Sequence, residues 1–143
     1  MKRLLLSVFL LAASTVFASD GWQTNYKTAL EQAAKENKPV LLDFTGSDWC
    51  GWCIKLKTET LSQPAFKSFA RKNLILVEVD FPKGKHQPDD VKAQNTELQQ
   101  KFDVHGFPTL VLLDSQGKEI ARNAGFLPGG PKALIAWVKQ AVK

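Results

Sequence analysis

The sequence predicts an α/β fold: a central mixed β-sheet with helices on both faces. Three observations carry that expectation. Short, nearly continuous apolar runs at Val40–Phe44, Leu74–Asp80 and Pro108–Leu113 read as buried strands, because a strand covered on both faces has no polar side to alternate with. Stretches of helical spacing lie between the runs, so the connections are crossovers. The third run meets Asp114-Ser115-Gln116-Gly117, a turn that folds the next segment back as a hairpin and makes the sheet mixed. A chain of 143 residues supports one such domain with a sizeable core.

Each element follows from local pattern. Gly21-Trp22 opens the domain as a short edge segment. From Thr24 to Lys38, Tyr26, Ala29, Leu30, Ala33 and Ala34 recur at helical spacing, and Pro39 ends that helix by restricting Lys38. After the first strand, Thr45-Gly46-Ser47-Asp48 is a turn-rich link to a helix running from about Cys50 towards Leu61. Pro64 suits the first turn of a further helix, with Ala65, Phe66, Phe69 and Ala70 on one face. After the second strand, Phe81–Pro88 is a loop rich in breakers and reads as a tolerated surface insertion. Asp89–Phe102 is a more polar helix facing in through Val91, Leu98 and Phe102. Lys118–Gly125 is the weaker hairpin strand. Beyond Pro128-Gly129-Gly130-Pro131, a last amphipathic helix carries Leu134, Ile135, Val138, Ala141 and Val142.

The first residues stand apart from this fold. Lys2 and Arg3 precede an apolar run from Leu4 to Phe17, and Val16-Phe17-Ala18 places small residues where a signal peptidase reads them. Residues 1–18 are therefore expected to be a cleaved secretory signal and residues 19–143 the domain. The apolar run is short for a bilayer span, and the absence of a cysteine after the cleavage point argues against a lipid anchor. The short signal fits a bacterial periplasm. The formal net charge is +5. Removing Lys2 and Arg3, with no acid in residues 1–18, leaves +3. The lysines are scattered, without an aromatic-interleaved basic patch, which favours a solvated surface over nucleic-acid binding.

Chemistry concentrates in Trp49-Cys50-Gly51-Trp52-Cys53, which holds the two cysteines of the chain. Spaced three apart at the start of a helix, the two sulfurs share one face. The first would lie among unpaired N–H groups and the positive end of the helix dipole. Such placements lower a cysteine pKa from about 8.5 into a range of about 3.5–7.5, and the thiolate is the form that attacks disulfides. Export points to oxidation, yet an i, i+3 bridge closes a very short loop and constrains the unfolded chain little. The pair is a poor staple and a good reagent. An inert bridge and half of a zinc site are the rival readings. Zinc takes about four ligands, and His86 and His105 are the only histidines, not at ligand spacing. No metal and no cofactor is expected, since the sulfurs themselves carry two electrons.

Asp43-Phe44, then Trp49-Cys50-Gly51-Trp52-Cys53, then Gly106-Phe107-Pro108-Thr109 resemble the thioredoxin superfamily, and with the element order the likeness spans the whole domain. Within that superfamily, Asp43–Cys53 is most similar to small exported thioredoxin-like oxidoreductases. The resemblance implies a thioredoxin fold and a Cys50–Cys53 disulfide. It implies that Cys50 forms a mixed disulfide with the substrate and that Cys53 resolves it. It also implies a cis Pro108 opposite the dithiol, with the backbone of Phe107 free to pair with an extended substrate. Trp49 would shield the disulfide, and Gly51 and Trp52 would lie at the docking face. Asp43 would relay a proton beneath Cys53, although its spacing to the cysteines is one residue longer than in thioredoxin. The strand Leu74–Asp80 also lacks the lysine that often accompanies that Asp, and a satisfied structural Asp is the equal alternative.

The expected activity is exported thiol:disulfide oxidoreduction. Gly51-Trp52 lacks the His of strongly oxidising and isomerising relatives, which favours a protein-disulfide reductase fed by a membrane electron-donor partner. The expected partners are protein thiols and disulfides, and the expected state is a monomer. An oxidase or isomerase, and a binding module without turnover, are the alternatives. His105 and His86 read as loop residues, and Trp22 and Trp137 as packing.

Overall fold

The computed structural model describes residues 20–143, so the expected signal segment lies outside the described residues. The strands are β1 (Trp22–Gln23), β2 (Val40–Thr45), β3 (Ile75–Asp80), β4 (Thr109–Leu113) and β5 (Glu119–Ala124). The helices are α1 (Tyr26–Glu36), α2 (Gly51–Leu56), α3 (Pro64–Asn73), α4 (Asp89–Lys101) and α5 (Gly130–Ala141). The sheet order is β1-β3-β2-β4-β5. β1 and β2 run parallel to β3, and β4 is antiparallel to both β2 and β5. The expected mixed sheet, hairpin and short edge segment are all present.

All six residues of β2 are buried, as its central place requires. Strand parity divides the core between the two faces. Val40, Leu42, Phe44, Ile75, Val77, Val79, Val111 and Leu113 pack with Ala29 and Ala33 of α1 and Leu98 of α4. Leu41, Leu76, Leu110 and Leu112 pack on the other face with Leu56, Phe66, Ala70, Leu134 and Val138, from α2, α3 and α5. By the same parity Asp43 and Glu78 belong to the face that α2 covers. Trp22 and Trp137 pack against this second cluster.

Local chemistry explains the helix ends. Asn25 caps α1 by accepting the Thr28 N–H through Oδ1 at 2.9 Å, and Asn37 closes it in the left-handed region at φ 50°. Pro64 begins α3 where a missing N–H costs nothing. Asp89 and Asp90 occupy the first turn of α4, where the dipole favours anions.

Some inward assignments move. Ala34, Ala65 and Val142 are exposed, because each lies at the margin of its apolar stripe and the facing layer does not reach it. Asn95 of α4 is fully buried despite its polarity, since its Nδ2 donates to the Asp80 carbonyl at 2.9 Å. The expected continuous helix to Leu61 becomes α2 followed by a π turn at Lys57–Leu61. Thr58 Oγ1 donates to the Ile54 carbonyl at 2.9 Å, competing for the acceptor that an α-helix would offer its backbone N–H. The turn keeps Thr60 and Leu61 inward.

Candidate active site

The link after β2 is built around a close approach. Backbone N–H groups of Trp49 and Cys50 donate to the Gly46 carbonyl at 3.2 and 2.9 Å, a turn that swings Trp49 back over Gly46. A Cβ at position 46 would fall 2.5 Å from the Trp49 indole, so only glycine fits. The indole Nε1–H then donates to the Phe81 carbonyl at 2.8 Å.

This turn delivers Cys50 as the N-cap of α2, in extended backbone geometry, with its sulfur accepting the Cys53 N–H at 3.3 Å. The two sulfurs form a disulfide. Both cysteines are buried, with Cys50 at 8% exposure and Cys53 at 3%. The Phe107–Pro108 bond is cis. The Phe107 ring meets Trp49 edge-on, with centroids 6.1 Å apart, and stacks on Phe81 at 5.0 Å. On the other side, Trp52 is 59% exposed and lies 5.4 Å from the Phe126 ring. Trp52, Phe107, Pro108, Gly125, Phe126 and Pro128 line an open groove of about 410 Å³. The structure thus brings Cys50, Cys53, Trp49, Trp52, Phe107 and Pro108 to one end of the sheet.

The loop Phe81–Pro88, expected to be a passive insertion, is fastened to this turn. Both Asp48 carboxylate oxygens accept backbone N–H groups, from Lys83 at 3.0 Å and Gly84 at 2.6 Å, and those bonds hold the carboxyl below its usual range. Asp80 accepts from the Ser47 N–H at 2.9 Å and its Oγ at 2.6 Å, and it pairs with Lys85 at 3.3 Å. The loop therefore buttresses the dithiol turn. Most of its anchors are backbone groups, which carry no sequence signature. His105 points elsewhere: its Nε2 pairs with Asp103 at 2.8 Å, both side chains more than four-fifths exposed.

Beneath α2, Asp43 is 6% exposed and its Oδ1 has no hydrogen-bond partner among the described residues. Burial first, then the nearby Glu78 carboxylate, raises its pKa to about 7, against an opposing pull from Lys57. Glu78 stands directly opposite Asp43 in the β2–β3 register. Lys57, from the π turn, reaches Glu78 at 3.7 Å. All three line a cavity of about 150 Å³ together with Asp20, Trp22, Leu61 and Ser62. Sequence reasoning noted that the second strand has no lysine. It missed that Lys57 brings the positive charge from a different element. The shared parity of Leu41, Asp43, Leu76 and Glu78 is the pattern that could have revealed the pair.

A family model for a thioredoxin-like domain matches residues 26–141. The chain belongs to the thioredoxin-like domain family. It is 48% identical over 122 residues to the disulfide bond reductase DsbH of Chlamydia pneumoniae, covering 85% of this chain and 72% of that protein. A solved structure of a DsbH oxidoreductase superposes with a TM-score of 0.79 at 43% identity, covering 95% of this chain and 94% of the other. The thiol:disulfide interchange protein DsbD of Pasteurella multocida (strain Pm70) is 32% identical over 120 residues, 82% of this chain but 19% of DsbD. Its disulfide and these relatives make the chain a thiol:disulfide oxidoreductase of the DsbH type.

Two outcomes follow from this geometry. The folded state holds the Asp43 proton up to about pH 7, whereas an unfolded chain releases it near pH 4. The folded state binds more protons in that window, so this residue makes stability fall as pH rises from about 4 to 7. Asp43→Asn should flatten that part of the urea-denaturation pH profile and stabilise the oxidised protein at pH 8, by at most about 4 kcal/mol. An unchanged profile would show Asp43 to be ionised like a surface acid. Gly46→Ala should displace Trp49 and cost about 1–3 kcal/mol. Loss of the protected indole N–H resonance bonded to Phe81 is the readout, and a retained resonance at wild-type stability would refute the close-approach argument.

Proposed function

We propose that this chain is an exported disulfide reductase acting on periplasmic proteins, with Cys50 as the attacking sulfur. The observation that carries the reading is the Cys50 sulfur at the N-cap of α2, accepting the Cys53 N–H. In the reduced protein the Cys50 thiolate attacks a substrate disulfide. A Cys50–substrate bond forms, the substrate bond breaks, and the leaving sulfur takes up a proton. In this reading Cys53 loses its proton to Asp43 and attacks Cys50. The Cys50–Cys53 bond forms and the second substrate sulfur leaves as a thiol. Two electrons pass to the substrate, and a dithiol donor restores the enzyme.

Trp49, Gly51, Trp52, Phe107 and Pro108 form the docking face in this reading, with the Phe107 backbone pairing along the substrate. The reducing direction is supported by Gly51-Trp52, which places no histidine between the cysteines, and by the reductase name of the relative in Chlamydia pneumoniae. A membrane partner of the DsbD kind supplies the electrons. Residues 1–18 direct export and are removed, and the mature chain acts as a monomer.

Insulin reduction tests the reading. Cys50→Ala should abolish turnover, whereas equal turnover with and without that thiol would leave only a binding module. Cys53→Ser, expressed in the source cell, should trap mixed disulfides with periplasmic substrates. Equilibration with glutathione should give a reducing potential, and a clearly oxidising one would replace the reductase with an oxidase or isomerase.

A further inference from the structure

We propose that the groove beside the dithiol selects substrates whose cysteine is flanked by an aromatic or large aliphatic residue and by a carboxylate. The inference rests on Cys50 being the exchanging sulfur and adds what the partner segment must look like.

The groove's lining is apolar. Trp52, Phe107, Pro108, Gly125, Phe126 and Pro128 offer the groove no charged group. Of the five exposed large hydrophobic residues among those described, Trp49, Trp52 and Ile54 fall within six positions around the dithiol. Such clustering marks a surface that is covered in use, whereas scattered apolar residues need no explanation. Trp52 and Phe126 are tilted at 40° with centroids 5.4 Å apart. A side chain lying beside them meets two ring faces at once.

The cation is Lys55. Its Nζ stands 5.2 Å from the Trp52 ring and 5.1 Å from the Phe126 ring. It makes no salt bridge among the described residues, unlike Lys38, Lys57, Lys67 and Lys85. The opposite end of the face differs. Lys83 also lies over an indole, 4.0 Å from Trp49, but the Asp48 carboxylate beside it remains an anion, bound to backbone N–H groups. Lys55 is thus a cation without a salt-bridge partner among the described residues, standing over two of the rings that line the groove. A partner carboxylate meets an attractive charge there, while a partner lysine meets repulsion and competes for the same rings.

The test compares reduction rates of disulfide-linked peptide pairs by the pre-reduced protein. The target cysteine is flanked by Phe and Glu, by Phe and Lys, by Ser and Glu, or by Ser and Lys, with hydroxyethyl disulfide as a neutral reference. The Phe/Glu peptide should react about tenfold faster than Ser/Lys, the charge and the ring each contributing a few-fold. High salt should shrink the Glu-over-Lys ratio, and Lys55→Glu should invert it. Equal rates for all four peptides, or a Glu-over-Lys ratio unchanged by Lys55→Glu, would overturn the inference while leaving the exchange chemistry standing. Failure to reduce any disulfide, the reference included, would instead overturn the exchange reading on which it rests.

Discussion

The first turn of a helix leaves N–H groups with no acceptor inside the helix, and here one of them, that of Cys53, donates to the sulfur of Cys50. Much of the structure serves to put that sulfur there. β2 must be central and apolar to end where it does. Gly46 must lack a side chain so that Trp49 can fold back, and the turn must be pinned so that Cys50 takes the N-cap rather than the first helical position. The resulting asymmetry is chemical as well as geometric. A charge on the outer sulfur is stabilised by the N–H and by the dipole, while the inner sulfur lies one turn down, against the core.

The same face of the sheet carries a cost. Asp43 replaces an apolar residue in a strand otherwise buried among Leu, Val and Phe, and Glu78 is paired with it across the ladder. Burial first, and then the facing Glu78 carboxylate, disfavour the charged form of Asp43. Lys57 offsets this only in part, because its side chain is more than half exposed and its contact with Glu78 is long. The fold therefore keeps a protonatable group on the α2-covered face near neutral pH, at the expense of stability above it. That cost bears on the proposed mechanism, in which Asp43 takes the Cys53 proton.

The fold was largely legible because parity and spacing are local properties. The Val40–Phe44 and Pro108–Leu113 runs and the Asp114–Gly117 turn identify the central sheet, and Cys50, Cys53 and Pro108 mark the candidate site. The remainder depends on long-range pairing. Asn95 reads as surface until its bond to the Asp80 carbonyl is seen. The Phe81–Pro88 loop reads as an insertion because its anchors include the backbone N–H groups of Lys83 and Gly84 and the carbonyl of Phe81, which any residue could supply. Lys57 and Glu78 are 21 positions apart in sequence and become a pair only once the β2–β3 register and the π turn are fixed.

The central claim is that the two sulfurs, once reduced, are chemically unequal because of where α2 begins. Its most direct test is competitive alkylation of the fully reduced, folded protein at pH 7, with the modified positions resolved by mass spectrometry. The account predicts that Cys50 reacts at least an order of magnitude faster than Cys53, and that urea unfolding brings the two rates together. Equal rates in the folded protein, or faster reaction at Cys53, would contradict it.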